Sequence, residues 1–122
     1  MEIETYINLT KLYFKAWNNM DLKALGDLFA DNCSLRDWEI SAQGKEDVLA
    51  VNKKIFDSVE SIKAEILNLH ESNRKRNSYP VYGSVVTAEL EIIVNGEERL
   101  LVTDIIEFEK RKIKAIRAYK GN

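Results

Sequence analysis

Two long segments of alternating apolar residues, joined by an Asn-Gly pair, constrain the fold of this chain more than any other feature. Ser84–Val94 and Glu98–Glu109 flank Asn95-Gly96, and an Asn-Gly pair between alternating segments is a strong signal of a β-hairpin. A two-residue loop would set the apolar positions of one strand against the polar positions of the other. A pairing shifted by one residue matches the apolar sides and sets Ala88 against Asp104. The pattern therefore predicts a bulged or three-residue turn that begins at Asn95-Gly96.

The rest of the chain divides into a helical first half and a second half rich in strands. Apolar residues at three- and four-residue steps predict a helix that starts at Ile3 and is ended by Asn18-Asn19, a second from an Asp21 cap to about Ala30, and a third over Lys45–Val59. Alternation predicts further strands over Cys33–Trp38, Ile62–Leu69 and Ile113–Lys120, with a polar, basic loop over Glu71–Ser78. Helices segregated on one face of a curved antiparallel sheet make an α+β domain. Such a sheet, half-wrapped around a long helix, leaves a conical cavity.

Length and composition limit the classes of protein to consider. A chain of 122 residues with 45% apolar residues is expected to form one domain, residues 1–122, with a real core. A net charge of −2 gives no electrostatic reason to expect nucleic acid or an acidic membrane as a partner. One Cys and one His cannot build a zinc site of the usual composition, and no segment looks like a signal peptide or a bilayer span. We therefore expect a soluble, cytoplasmic domain without a metal.

Two carboxylates interrupt apolar strand faces. Asp104 lies on the same face of its strand as Val102, and Asp37 shares a face with Leu35. Because burial of a bare carboxylate is costly, each must be paired with Lys or Arg, reach a solvated rim or cavity, or be protonated. The small Ala88 opposite Asp104 leaves room beside the carboxyl, which favours a cavity. Desolvation there is expected to raise the pKa of Asp104.

Few other residues suggest chemistry. Tyr13 lies in the apolar stripe of the first helix, and Asn52 interrupts that of the third, where it is either a cavity residue or a rim residue. His70 and the basic run Arg74-Lys75-Arg76 are expected on the surface. The sequence contains no Gly-rich phosphate loop, no nucleophile signature and no metal-ligand spacing. Cofactor-free acid–base chemistry or plain ligand binding remains.

Several segments resemble a known superfamily. Leu12–Leu22, running into Leu28–Asn32, resembles the opening of nuclear transport factor 2-like proteins, and more narrowly of ketosteroid isomerases and SnoaL-like polyketide cyclases. The resemblance extends to Gly44-Lys45-Glu46, which open the third helix, and to the Asn95-Gly96 hairpin. It implies a cystatin-like fold in which a cone-shaped, curved antiparallel sheet wraps around the N-terminal helices.

The resemblance also implies an activity and its residues. In ketosteroid isomerases a first-helix Tyr and a protonated Asp donate hydrogen bonds to the dienolate oxygen, while a second Asp moves the proton. The matching residues are Tyr13, Asp104 and Asp37. The resemblance therefore implies a cofactor-independent enzyme that acts by enolisation on a small apolar carbonyl compound, as steroid delta-isomerases and polyketide cyclases do. A non-catalytic binding or dimeric accessory module of the same fold remains an alternative, as does a lyase or dehydratase that uses Asp37 as its base.

Side chains expected to contact the substrate come from the helices and the inner strand faces. They are Trp17, Phe29, Asn52, Phe56, Ala88, Val102, Ile116 and Lys120. Three of them depart from the steroid isomerase pattern. Phe29 and Asn52 replace Tyr residues that often support the oxyanion-binding Tyr, and Lys120 replaces a pocket Trp and could neutralise Asp104. These departures count against a steroid substrate.

Apolar residues are also expected on the outer face of the sheet. Ile93, Leu101 and Ile105 lie on strand faces directed away from the predicted cavity, where water would otherwise contact them. The resemblance implies dimers that pack sheet to sheet. We therefore expect a homodimer.

Overall fold

The structure is a computed structural model that describes residues 5–76 and 79–121, with the side chains of residues 73–76 and 79–83 outside the description. The elements follow in the order α1 (Tyr6–Asn18), α2 (Leu22–Leu28), β1 (Phe29–Arg36), β2 (Ser41–Gln43), α3 (Lys45–Asp57), β3 (Ile62–Arg76), β4 (Tyr79–Val94), β5 (Glu98–Glu109) and β6 (Lys112–Lys120). The predicted α+β class is confirmed. Within the described ranges, no helix has both the length and the apolar character that a bilayer span requires.

Capping side chains set the starts of the first two helices. The Thr5 hydroxyl accepts a hydrogen bond from the Asn8 N–H (3.0 Å), so α1 begins at Tyr6, later than predicted. The Asp21 carboxylate accepts one from the Ala24 N–H (3.0 Å), which confirms the predicted cap of α2. The α2 helix ends at Leu28 rather than near Ala30, because Phe29 is already extended and begins β1. Of the predicted first helix, residues 3 and 4 lie outside the described residues.

One mixed sheet contains all six strands in the order β2-β1-β6-β5-β4-β3. All pairs are antiparallel except β1 and β6, which run parallel. Irregularities in pairing, including one between Ile66 and Asn68 in β3 and one between Glu107 and Phe108 in β5, favour curvature because a bulge bends its strand. The sheet is curved and does not close, and the helices pack against its apolar face.

The central hairpin has the register that the alternation predicted. Ala88 pairs with Asp104 and Leu90 with Val102, and a three-residue turn joins Val94 to Glu98. Asn95 and Gly96 adopt positive φ angles of 52° and 71°, a conformation that Asn and Gly tolerate better than other residues. The predicted register and turn length are therefore confirmed.

Pairing with β4 extends β3 beyond its predicted end. The β3 strand continues through Glu71 to Arg76, which pairs with Tyr79, so the predicted polar loop is wrong for residues 71–76. The remaining residues of that loop, 77 and 78, lie outside the described residues. Backbone hydrogen bonds of a ladder need no apolar side chains, so a polar sequence can continue a strand. His70 is exposed, as predicted.

The first strand lies earlier than predicted, at Phe29–Arg36 instead of Cys33–Trp38, which leaves Asp37 and Trp38 in a loop. A short strand that the sequence did not predict, Ser41–Gln43, follows this loop and pairs with the end of β1. With three residues it offers a single alternation, too little for a pattern to indicate.

The Asn18 side chain attaches the end of α1 to the edge of the sheet. Its amide donates to the Ala64 carbonyl (3.0 Å) and its oxygen accepts from the Ala64 N–H (2.7 Å). Because β3 is an edge strand, Asn18 satisfies backbone groups that a neighbouring strand would otherwise bond. This contact holds α1 over the sheet and places Tyr13 and Trp17 above the inner strand faces.

Candidate active site

A cavity of about 220 Å³ lies between α1, α3 and the inner face of the sheet. Its lining includes seven of the residues expected at the site, namely Tyr13, Trp17, Asp37, Asn52, Val102, Asp104 and Ile116. The loop after β1 contributes Trp38 and Glu39, which are exposed and form part of the rim. The volume is below the roughly 300–1,000 Å³ of pockets for drug-sized ligands, so the cavity suits a small molecule.

The Asp104 carboxyl is buried in the cavity wall without a protein partner. It is 7% exposed, and among the described residues no group forms a hydrogen bond or ion pair with it. Burial raises the pKa of Asp104 to about 7, and the negative charge of Asp37 adds to the rise. The direction agrees with the expectation from the sequence. Near neutral pH the protonated and ionised forms of Asp104 are therefore both populated.

The Tyr13 hydroxyl reaches the same cavity from α1. The residue is 4% exposed, and its ring packs against Phe14 at 4.9 Å and Phe29 at 6.0 Å between centroids. Burial raises the pKa of Tyr13 well above its ordinary value, and the charges of Asp104 and Cys33 act in the same direction. The hydroxyl therefore keeps its proton at any physiological pH. As no protein group in the described range accepts that proton, it is available to a ligand.

Asp37 lies in the loop after β1, held by its own backbone. Its Oδ1 accepts hydrogen bonds from the N–H groups of Glu39 (2.7 Å) and Ile40 (2.6 Å), and its N–H donates to the Ile40 carbonyl (2.9 Å). These bonds form a tight turn, and β1 ends at Arg36, two residues earlier than the alternation suggested. They also fix the orientation of the carboxylate, which is half-buried beside the cavity.

A short network of hydrogen bonds connects α1 and α3 at the cavity wall. The Trp17 indole N–H donates to Asn52 Oδ1 (3.1 Å), and Asn52 Nδ2 donates to the Val48 carbonyl (2.9 Å). Asn52 is 2% exposed and lies in the cavity wall, so of its two proposed positions the structure favours the cavity over the rim. These hydrogen bonds fix the orientation of the Trp17 ring in the cavity wall.

A family model described as SnoaL-like domain matches residues 10–116. The chain belongs to the SnoaL-like domain family. This membership confirms the resemblance to SnoaL-like and ketosteroid isomerase-like proteins drawn from the sequence. Comparison with curated proteins finds no match to this SnoaL-like chain.

Solved structures of low sequence identity share the fold of this SnoaL-like protein. A dehydratase candidate of the NTF2-like family from Streptomyces avermitilis is 18% identical over 93% of this chain and 91% of the other, with a TM-score of 0.78. Nuclear transport factor 2 from Cryptosporidium parvum is 13% identical over 94% and 90%, with a TM-score of 0.78. A protein with a ketosteroid isomerase-like fold from Catenulispora acidiphila, in complex with trimethylamine, is 15% identical over 91% and 83%, with a TM-score of 0.69. The nuclear transport factor 2-like fold expected from the sequence is confirmed.

Four residues expected at the site of this SnoaL-like protein do not line the cavity. Phe29 and Phe56 are core residues behind Tyr13 and Trp17, with Phe56 and Trp17 5.5 Å apart between ring centroids. Ala88 pairs with Asp104 but is fully buried in the core. Lys120 is exposed, and its Nζ lies 5.8 Å from the centre of the Trp38 ring rather than on Asp104. In each case packing against a neighbour, which alternation does not specify, decides which way the side chain lies.

Residues of the Asp37 loop also line the cavity, and sequence reasoning did not place them there. Trp38 is 43% exposed at the rim, and Ile40 is half-buried beside it. A strand over Cys33–Trp38 would have turned Trp38 away from Asp37. The signal in the sequence was Asp37 itself. Asp side chains tend to accept hydrogen bonds from backbone N–H groups two and three residues later, and this forms a turn.

Proposed function

We propose that this SnoaL-like protein is a cofactor-independent acid–base enzyme that acts by enolisation on a small apolar carbonyl compound. The observation that supports this is a pair of groups on largely buried side chains, the Asp104 carboxyl and the Tyr13 hydroxyl, which have no protein partner in the described range and are accessible from the same cavity as Asp37. Buried polar groups are normally hydrogen-bonded. Because both groups are free to bind a ligand, they favour a ligand with an oxygen atom that accepts a hydrogen bond from each of them.

The proposed reaction is the isomerisation of a β,γ-unsaturated ketone. The Asp37 carboxylate removes the proton α to the carbonyl, and the electrons of that C–H bond form the enolate double bond. Tyr13 and protonated Asp104 donate hydrogen bonds to the oxygen as negative charge develops on it. Asp37 then returns the proton to the γ carbon, which gives the conjugated ketone. Atoms and electrons balance within the substrate, so the reaction needs no oxidant or reductant.

The two alternative functions, a non-catalytic binding module and a lyase or dehydratase, would use the same site. The two hydrogen bonds that Asp37 already accepts are what a purely structural Asp would form, which favours a non-catalytic binding module. The likeness to a dehydratase candidate supports a lyase in which Asp37 removes the same α proton and passes it to a β-hydroxyl, which leaves as water. The trimethylamine complex of a neighbour with this fold supports a small ligand in either case.

An assay of small carbonyl compounds with a Tyr13→Phe variant tests the proposal. Single-ring β,γ-unsaturated ketones should isomerise without added cofactor, and faster than steroid-sized ones, because the cavity is small. Removal of one preorganised oxyanion donor should lower kcat by up to roughly 10²–10³. Formation of the conjugated ketone, followed by ultraviolet absorbance, measures this rate.

A matched control is Tyr119→Phe, which removes the hydroxyl of an exposed Tyr outside the cavity and should leave kcat unchanged. Adding β-hydroxy ketones to the panel separates isomerase from dehydratase. Absence of turnover on every compound, together with tight binding of an apolar ketone, would support the binding module instead.

We further propose that the protein is a homodimer formed through the outer sheet face. Leu101 and Tyr119 are 48% and 49% exposed on neighbouring strands of that face, with Ile93 and Ile105 half-buried nearby. Light scattering at micromolar concentration should give a particle of twice the chain mass of 14.1 kDa. Leu101→Glu should shift the mass to the monomer by placing a charge in the interface. Leu12→Glu, a change of an equally exposed Leu on α1, should not. A wild-type mass of 14.1 kDa would contradict the dimer.

A further inference from the structure

In the part of the chain that the structure describes, every charged side chain that lines the cavity is acidic. Among the described residues in its wall, Asp37, Glu39 and Asp104 carry carboxyl groups, and none is Lys, Arg or His. The ion pairs elsewhere in the described chain, such as those of Asp31 and Glu91, involve other carboxylates. Asp104, 7% exposed and without a hydrogen-bond or ion-pair partner among the described residues, therefore shares the wall with charged groups of its own sign, while the Lys120 ammonium lies over Trp38 and is not part of the lining. The electrostatic complement of this space is a cation.

Aromatic rings form much of the same wall. Tyr13, Phe14, Trp17 and Trp38 all line the cavity, and the face of an aromatic ring attracts a positive charge, most strongly in Trp. Trp38 shows this preference in the structure, since the Lys120 ammonium lies 5.8 Å from the centre of its ring. Rings combined with carboxylates are the composition that recognises methylated ammonium groups.

The chemistry of the wall favours an organic cation over a metal ion. The part of the chain that the structure describes holds no group of three or more His, Cys, Asp or Glu side chains arranged as metal ligands. Much of the remaining lining is aliphatic, including Leu35, Leu90 and Val102. A small metal ion binds through several oxygen or nitrogen ligands, whereas an alkylammonium ion presents methyl groups to apolar walls.

We propose that the cavity binds a small organic ammonium ion, with its methyl groups against the rings of Trp17 and Tyr13 and its charge beside the carboxylates of Asp104 and Asp37. This inference does not rest on the enolisation reaction. It requires only the shape and charge of the cavity.

The protonation of Asp104 should control this binding. The titratable groups that line the cavity with it are Tyr13 from α1 and Asp37 and Glu39 from the loop after β1, and Ala88 and Ala118 pair with it from the neighbouring strands. The Lys120 ammonium of β6 lies over Trp38, outside this lining. With a pKa of about 7, Asp104 is mostly protonated under acidic conditions and ionised under basic conditions. An ammonium ion binds the ionised form, so affinity should rise with pH and binding near neutral pH should release a proton.

Isothermal titration with two isosteric probes tests the inference. Choline and 3,3-dimethylbutan-1-ol have the same shape, but only choline carries a charge. At about pH 8 choline should bind at least roughly tenfold more tightly, and this preference should shrink at about pH 5. Titration in buffers of different ionisation enthalpy should show proton release with choline and none with the alcohol.

Asp104→Asn should lower the preference for choline at about pH 8 to the level that the wild-type protein shows at about pH 5, because the Asp37 carboxylate remains, and it should abolish the proton release while binding of the alcohol is retained. Asp57→Asn, which removes an exposed carboxylate of α3 outside the cavity, should change neither. Equal affinity for the two probes in the wild-type protein would overturn the inference, as would no choline binding at millimolar concentration. Since no turnover is measured, these outcomes are independent of whether the protein is an isomerase.

Discussion

Replacement of Asp37 by Asn is expected to lower kcat for ketone isomerisation by ~10²–10⁴, the range typical of a lost general base. Asn has the same shape, and its Oδ1 can still accept the hydrogen bonds from the Glu39 and Ile40 N–H groups. The loop after β1 should therefore keep its conformation while the basic oxygen is lost. KM should change little, because the carboxylate acts in the proton transfer rather than in binding the neutral ketone.

Two further variants separate the chemical role of Asp37 from its structural one. Asp31→Asn removes an exposed carboxylate, paired with Lys45, from β1, the strand that precedes the Asp37 loop, and should leave kcat unchanged. Asp37→Ala removes the acceptor as well as the base, so it should also lower the free energy of unfolding, by roughly 1–3 kcal/mol. Unchanged turnover in Asp37→Asn would exclude Asp37 as the base. Loss of stability in Asp37→Ala without any wild-type turnover would favour the structural role.

Asp104 is expected to make the stability of the protein depend on pH, with lower stability under basic conditions. The folded state binds the proton up to about pH 7, whereas an unfolded Asp releases it near pH 3.8. Between these values the folded state holds more protons, so the free energy of unfolding falls as pH rises. The full loss from this group amounts to about 4 kcal/mol, reached above the folded pKa.

Asp104→Asn should remove this dependence because Asn does not titrate. This pH dependence is measured by denaturant unfolding at several pH values. The quantity compared is the difference in unfolding free energy between the wild-type protein and the variant. The variant should gain about 4 kcal/mol relative to wild type between acidic and basic conditions. All other titrating groups are common to the two proteins and cancel in this difference. A difference that does not vary with pH would show that the pKa of Asp104 is the same in the folded and unfolded protein, and would contradict the raised pKa.

The two protonation states of Asp104 relate the proposed reaction to the proposed cation site. Protonated Asp104 donates a hydrogen bond to a carbonyl oxygen, and ionised Asp104 attracts an ammonium ion. A pKa of about 7 makes both states accessible near neutral pH. An organic ammonium ion would therefore compete with a ketone substrate, more strongly as the pH rises.

The sequence predicted the long hairpin in detail because alternation over many residues leaves one register that buries the apolar side. Ala88 opposite Asp104 and the three-residue turn both follow from that match. The Asp21 cap was predictable for a local reason, since its side chain bonds a backbone N–H three residues away. Short or polar elements were not predictable in this way. The β2 strand and the end of β3 exist through backbone pairing with neighbours distant in sequence.

The residues proposed to act together, Tyr13, Asp37 and Asp104, were found by resemblance and by the cost of burying a carboxylate. Sequence reasoning did not foresee that Phe29 and Phe56 pack behind Tyr13 and Trp17 in the core. A buried aromatic residue and a cavity-lining one have the same apolar periodicity. Only their neighbours distinguish them.

The sequence by itself determined the α+β class, the order of its main elements, the hairpin register and the presence of a carboxyl group on an apolar strand face. These depend on local periodicity and on short-range hydrogen bonds, which a linear pattern contains. The tertiary structure alone decided that Lys120 contacts Trp38 rather than Asp104, and that Asp37 leaves β1 to form a turn beside the cavity. It also decided that the charged lining residues in the described range are all acids. These features depend on which distant side chains share one small volume, and on how strongly that volume is desolvated.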